Sequence, residues 1–196
     1  MRWRKLGPAD YKVMPWKNGA GSTTELLIDP PGATLEAFHW RVSMAAVAAS
    51  GPFSSFPGID RTLLLLEGGG LELDSGPHGR ALLPGPLVPA GFSGDWKTHG
   101  RLLDGPCRDF NVMSDRTRVR QSVCVLRPGA DALALPPAMT LLVYCAQGSA
   151  RVETRDGRED LEVGELLRGD AVDRASVPAG GATPGTALIV IALDPA

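Results

Sequence analysis

Short apolar runs separated by glycine or proline are the feature that most restricts how this chain can fold. The sequence contains 24 glycines and 17 prolines, spread along the chain without a fixed period. Many short strands punctuated by turn residues are typical of a β-sandwich or β-barrel. We therefore predict an all-β protein whose strands include Phe38–Met44, Thr62–Leu66, Leu71–Asp74, Phe110–Met113, Ser122–Leu126, Thr140–Cys145, Ala150–Thr154 and Ala187–Leu193.

A weak internal repeat indicates that one β-unit occurs twice. The run Leu63–Leu66 is followed by Glu67-Gly68 and a second strand, and the run Thr140–Cys145 is followed by Gln147-Gly148 and a second strand. A repeated unit of this size predicts two similar half-barrels in one chain. We place the N-terminal half, with the ligand pocket, at residues 1–113 and the C-terminal half at residues 114–196.

The segment after the first repeat resembles a motif of the cupin jelly roll. It reads Gly85-Pro86-Leu87-Val88-Pro89-Ala90-Gly91 and follows a strand, a glycine turn and a second strand. Taken with the repeat, the motif favours a bicupin as the fold class, with two jelly-roll cupin half-barrels in one chain, and a generic jelly roll is the alternative.

The residues that bind metal in metal-dependent cupins are missing from this chain. If the repeat is aligned on Glu67-Gly68, Arg61 occupies the position expected for the metal-binding glutamate. Phe92-Ser93 occupies the position expected for the last histidine of the set. We therefore predict no metal site and no cofactor, since no two of the histidines have ligand spacing; they are His39, His78 and His99.

Arg61 changes the kind of ligand that such a site would take. A guanidinium repels cations and offers a planar pair of donors to a carboxylate. The sequence therefore predicts a small organic anion as the ligand. The alternative is a structural ion pair between Arg61 and Asp60 or Asp109.

Two strands with alternating polar residues and one glycine-rich loop complete the predicted site. Residues two apart share one face of a strand, which pairs Arg41 with Ser43 and Asp109 with Asn111. The loop between Pro15 and Glu25 is rich in glycine and can approach an anion closely, although an ordinary Asn-Gly turn is the alternative. Solvent-facing strands are the alternative for the two polar pairs. The predicted ligand-binding residues are Lys17, Asn18, Arg41, Ser43, Asp60, Arg61, Asp109 and Asn111.

These segments also resemble the HutD/Ves family. Ala20 departs from the pattern, because a glycine is expected there. The resemblance covers much of residues 11–115, in the blocks Pro15–Gly19, Gly21, Thr24-Glu25, Phe38–Ala45, Gly51–Ser54, Phe56–Arg61, Phe92–Asp95 and Asp109–Met113.

The resemblance implies a bicupin fold, a bacterial source and a role linked to histidine utilisation. That role is the control of the pathway's expression or flux, and the ligands that it implies are pathway acids such as urocanate or N-formylglutamate. All of these ligands are carboxylates, which agrees with the independent interpretation of Arg61.

Composition narrows the partners and the compartment. The formal net charge is −2 with acidic and basic residues mixed, so no nucleic-acid partner is expected. No apolar run is long enough to span a bilayer, so no membrane partner is expected either. The N-terminus lacks a signal-peptide pattern and the three cysteines are not closely spaced, which makes the cytoplasm the expected location. A homodimer is one assembly that the sequence allows.

Three functions fit these observations. We interpret the chain as a metal-free protein that senses or buffers a small carboxylic acid, rather than as an enzyme. The alternative is an isomerase or hydrolase acting on such acids, with Asp60 or Asp109 as general base. A third possibility is an adaptor that binds another protein and whose pocket is vestigial.

Overall fold

The computed structural model describes residues 3–16 and 21–196, and within them the chain is almost entirely β-sheet. Every strand predicted from the sequence overlaps an observed one. No helix among these residues is long and apolar enough to cross a membrane. The described part also contains two 3₁₀ helices, Pro8–Asp10 and Gly76–His78. In chain order, the strands are β1 (Trp3–Leu6), β2 (Lys12–Pro15), β3 (Gly21–Asp29), β4 (Trp40–Val47), β5 (Gly51–Pro52), β6 (Ile59–Glu67), β7 (Leu71–Asp74), β8 (Arg80–Leu83), β9 (Ala90–Ser93), β10 (His99–Leu102), β11 (Cys107–Asp115), β12 (Val119–Leu126), β13 (Leu133–Leu135), β14 (Ala138–Gln147), β15 (Ser149–Thr154), β16 (Gly157–Glu162), β17 (Leu166–Val172), β18 (Ala175–Val177) and β19 (Ala187–Pro195).

The chain forms two compact units. The N-terminal unit comprises Tyr11–Val119 with Ala196, and the C-terminal unit comprises Met1–Asp10 with Arg120–Pro195. The predicted division into residues 1–113 and 114–196 differs from these units mainly at the start of the chain. The difference arises because β1 pairs antiparallel with β17 and thereby joins the C-terminal unit.

Strand pairing confirms that the two units are copies of one design. In the N-terminal unit, the larger sheet has the order β2-β3-β4-β11-β6-β9 and the smaller has the order β5-β10-β7-β8. In the C-terminal unit, the corresponding orders are β1-β17-β14-β19-β12 and β13-β18-β15-β16. If eight is added to each strand number from β4 to β11, every pairing among these eight strands reappears in the C-terminal unit. The repeat detected in the sequence is therefore a complete eight-stranded unit.

The interiors of the two units differ in chemistry. The C-terminal unit has one apolar core of leucine, valine and alanine, with Cys145 and Leu188 among its buried members. In the N-terminal unit, one cluster gathers around Leu63 and Leu65 and another around Phe38 and Met113. Polar residues lie on the strands between those clusters, and they form the candidate site.

The edge strand β1 generates a prediction about the C-terminal unit. The Trp3 ring packs against the core, and a Cβ atom at Gly169 would lie 2.5 Å from that ring. Trp3→Ala should lower the free energy of unfolding by about 2–3 kcal/mol, because it removes a partly buried aromatic side chain. Urea unfolding followed by circular dichroism measures this change. Val13→Ala is the control, since Val13 is exposed in β2 and its truncation should have little effect. Equal effects of the two variants would contradict the packing role of Trp3.

Candidate functional site

One face of the larger N-terminal sheet brings together polar residues from three adjacent strands. In the register of β4, β11 and β6, Met113 lies opposite both Arg41 and Arg61, and Asn111 lies opposite Ser43. Asp109 lies opposite Ala45 on the same strands. Alternation along each strand therefore turns five of the predicted residues to one face. All five are buried: Arg41, Ser43, Arg61, Asp109 and Asn111.

Arg61 is held mainly by aromatic rings. Its guanidinium carbon lies 4.8 Å from the ring centroid of Phe92 and 5.5 Å from those of Phe53 and Phe56. Nη1 donates a hydrogen bond to the carbonyl oxygen of Ser54 at 3.1 Å, whereas the buried Nε has no partner. None of the ion pairs among the described residues includes Arg61. The side chain is therefore a buried cation with donor capacity left over.

Burial also changes the titration of Arg61 and of its neighbour Asp109. Desolvation lowers the pKa of Arg61 to about 10, with Asp109 opposing the change and Arg41 adding to it. The guanidinium therefore stays charged at neutral pH. Desolvation raises the pKa of Asp109 to about 7, although Arg61 and a hydrogen bond from the Ala45 amide oppose the rise. That hydrogen bond is 3.1 Å long.

Arg41, the second arginine on this face, has its own partners. Its Nε donates to Glu25 on β3 at 2.7 Å, and its Nη1 donates to the Ser43 hydroxyl at 3.3 Å. Glu25 is thus a member of the site that sequence reasoning missed. Its place directly after the glycine-rich loop was the one available signal. Because Arg41 is neutralised by Glu25, we assign it mainly to holding the site together.

Asn111 carries hydrogen-bonding capacity that the protein does not use. Its side-chain oxygen is buried and has no hydrogen-bond partner among the described residues. A buried amide without a partner costs free energy, so such groups normally meet water or a ligand. Asn111 can offer both a donor and an acceptor to a bound molecule.

Asp60 is not part of this group. Its neighbour in sequence is Arg61, so alternation points the two side chains to opposite faces of β6. The Asp60 side chain is 52% exposed and accepts a hydrogen bond from Arg116 Nε at 2.9 Å. The prediction that Asp60 lines the site is therefore wrong. Lys17 and Asn18 lie outside the described residues, and their role stays a prediction.

Arg116 supports the site from outside, and sequence reasoning did not include it. Its guanidinium donates to Asp60, Asp95 and the Ser93 hydroxyl. Asp95 in turn accepts the Gly58 amide hydrogen at 2.8 Å. The hydrogen bonds that Asp95 accepts from Gly58 and Arg116, together with the charge of Arg116, lower the pKa of Asp95 to about 2. The network therefore anchors the end of the segment that carries Ser54 and the Phe53 and Phe56 rings.

At three positions that can be compared among the described residues, the C-terminal unit is apolar where the N-terminal unit is polar. In the paired strands β14 and β19, Leu141, Val190 and Leu188 occupy the positions that Arg61, Asn111 and Asp109 occupy in β6 and β11. All three are buried in the apolar core. The candidate site therefore belongs to the N-terminal unit. Among the described residues, no three or more His, Cys, Asp or Glu side chains are grouped so that they could hold a metal ion.

The titration of Asp109 predicts how stability depends on pH. Its pKa is higher in the folded protein than in the unfolded chain, so the carboxyl group stays protonated to a higher pH in the folded state. Wild-type stability should fall as the pH rises from about 4 to about 7, because ionisation then costs burial free energy. Asp109→Asn removes this step. The urea midpoint of wild type relative to Asp109→Asn should therefore decline over that range. Parallel pH curves for the two proteins would contradict the raised pKa.

Gly94 lies between Ser93 and Asp95, the two residues of β9 and its following turn that accept hydrogen bonds from Arg116. A Cβ atom there would lie 2.5 Å from the Phe56 carbonyl oxygen and 2.9 Å from that of Ile59. Gly94→Ala should cost about 2 kcal/mol of unfolding free energy, because backbone must move to accept the methyl group. Gly91→Ala is the matched control, since its Cβ would meet nothing nearer than 3.9 Å. Thermal unfolding compares them, and equal melting temperatures would exclude the close approach.

Comparisons with known proteins identify the family and the fold of this chain. The HutD family model matches residues 8–184. An uncharacterized 21.2 kDa protein in the hutC 3′ region of Pseudomonas putida is 37% identical over 160 residues, which is 81% of this chain and 81% of that protein.

Solved structures cover nearly the whole chain. A conserved protein of unknown function from Pseudomonas aeruginosa matches with a TM-score of 0.88 and 34% identity, over 99% of this chain and 100% of that one. HutD from Pseudomonas fluorescens matches with a TM-score of 0.78 and 32% identity, over 98% and 99% of the two chains. Oxalate decarboxylase from Lactobacillus farciminis shares only the fold, with a TM-score of 0.65 and 8% identity over 96% of this chain and 85% of that one. These matches confirm the bicupin fold. The chain belongs to the HutD family.

Proposed function

We propose that the polar interior of the N-terminal unit binds a small carboxylic acid, and that the protein modulates histidine utilisation in the cytoplasm by sensing or buffering that acid. The buried guanidinium of Arg61 carries this proposal. A buried arginine is normally paired with a carboxylate, and this one has rings and one carbonyl oxygen instead. A ligand carboxylate would supply the missing partner.

The groups around Arg61 favour an acid that also carries a polar group. The unused amide of Asn111 can accept a hydrogen bond from a ligand N–H and donate one to a ligand oxygen. Urocanate has an imidazole and N-formylglutamate has an amide, so either would combine a carboxylate with an N–H group. Aromatic rings beside Arg61 would pack against the apolar part of such a molecule.

The family context supports the pathway. The Pseudomonas putida relative is described by its place in the hutC 3′ region, and the Pseudomonas fluorescens relative is HutD. These names concern the relatives, and we extend them to this chain as part of the proposal.

One observation favours an enzyme as the second candidate. The Asp109 carboxyl is buried and feels the charge of Arg61, and its pKa is about 7. A group with that pKa suits a general base or acid at neutral pH. Asp60, the other predicted base, is exposed and paired with Arg116. Incubating the protein with urocanate or N-formylglutamate and analysing the mixture by chromatography separates the two functions. Turnover that Asp109→Asn abolishes would establish the enzyme.

Calorimetric titration of the protein with urocanate and N-formylglutamate tests the binding proposal. Arg61→Ala should weaken binding about ten- to a hundredfold, because a charged hydrogen bond contributes roughly 1.5–3 kcal/mol. Arg61→Lys should restore binding only in part, since a point charge cannot reproduce the planar pair of donors.

Arg101→Ala is the control for that titration, because Arg101 is largely exposed and pairs with Glu72 at the surface. It should bind like wild type. Circular dichroism establishes that each variant is folded. Equal affinity of folded Arg61→Ala and wild type would show that Arg61 is structural, and failure of folded wild type to bind either acid would overturn the proposed ligands.

A further inference from the structure

We infer that the site binds its organic acid together with a proton, which Asp109 takes up from solvent as the acid enters. This inference rests on the proposed function and concerns the regulation of the same site. It would make the protein respond to pH as well as to the concentration of the acid.

The carboxyl group of Asp109 lies in largely apolar surroundings. Its carboxyl group is buried, and the hydrogen bond that it accepts comes from the Ala45 amide. The chain around it is largely apolar: Leu65 lies opposite on β6, and the smaller sheet contributes Leu71 and Leu73 to the same core cluster. An ionised carboxylate in such surroundings requires a nearby cation.

Four charged or titratable groups lie on the same side of the sheet as Asp109. From β6 comes Arg61, whose charge favours ionisation of Asp109. On the same strand as Asp109 lies Cys107, whose buried thiol has its pKa raised by burial and by Asp109. From β4 and β3 come Arg41 and Glu25, which neutralise each other at 2.7 Å. Arg61 is therefore the cation on which an ionised Asp109 depends.

With Asp109 ionised, the described charges of the empty site are two arginines and two carboxylates, which sum to zero. A ligand carboxylate bound to Arg61 would add one negative charge to a buried site, and it would take from Asp109 the cation that stabilises it. A proton from solvent on Asp109 offsets the charge of the carboxylate that Arg61 holds, whatever other groups the ligand carries. The protonated carboxyl can then donate a hydrogen bond to the ligand instead of repelling it.

The titration of Asp109 sets the pH range of the effect. Its pKa in the empty site is about 7, and a neighbouring anion raises the pKa further. Proton uptake on binding should therefore approach one proton per ligand at about pH 8 and be small at about pH 6. The dissociation constant should rise by about tenfold for each pH unit above 7.

Calorimetry with N-formylglutamate in two buffers of different ionisation enthalpy tests the inference, because the difference in heat counts the protons taken up. The carboxylates of this acid stay ionised between about pH 6 and pH 8, so the ligand itself contributes no protons. Wild type should take up close to one proton at the higher pH. Asp109→Asn should take up none and should bind with an affinity that hardly changes with pH.

Asp173→Asn is the matched control, since it changes an exposed carboxylate of the C-terminal unit, outside the network that supports Arg61, and should behave as wild type. Infrared difference spectra of the ligand-free proteins should show a protonated carboxyl band at about pH 6 that Asp109→Asn lacks. Arg61-dependent binding without proton uptake, or equal uptake in Asp109→Asn, would overturn the inference while the proposed function stands. If folded wild type binds no acid at either pH, the proposed function fails and the inference fails with it.

Discussion

The desolvation of the Arg61 guanidinium is the constraint on which the rest of the site depends. A buried cation without a carboxylate partner is costly, and here three aromatic rings and the Ser54 carbonyl oxygen offset part of that cost. Two of the rings, Phe53 and Phe56, lie in a segment without regular structure, which must be anchored to keep them in place. Arg116 and Asp95 provide that anchor. The exposed ion-pair network therefore serves the buried arginine.

The duplicated fold allowed the two units to take different roles. The same strand pairs carry Arg61 and Asp109 in one unit and Leu141 and Leu188 in the other. An interior filled with leucine and valine stabilises a unit without hydrogen-bonding requirements. A polar interior gives up some of that stability, because each buried donor and acceptor must be satisfied. The C-terminal unit therefore has the apolar interior that favours stability, and the N-terminal unit carries the site that we propose for binding.

Much of the fold and part of the site could be predicted from the sequence. Alternation correctly grouped Arg41 with Ser43 and Asp109 with Asn111, although it could not say whether those faces were buried. The same rule should have excluded Asp60, because the residue next to Arg61 must point to the other face of β6. Pairing of β1 with β17 joins residues 160 or more positions apart, and the sequence holds no local signal for such a contact. Arg116 was missed for the same reason, whereas Glu25 had one signal, its place directly after the glycine-rich loop.

The two arginines of the interior show how a site can be both stable and open to a ligand. Arg41 has a close carboxylate partner in Glu25, at 2.7 Å. Arg61 faces Asp109, whose burial opposes ionisation. An ionised Asp109 compensates the charge of Arg61 while the site is empty. Because Asp109 can lose its charge by taking up a proton, it need not compete with a ligand carboxylate for Arg61. A permanent partner such as Glu25 could not be displaced at so small a cost. The proposed binding mode thus combines one arginine whose partner keeps its charge with one whose partner can be neutralised.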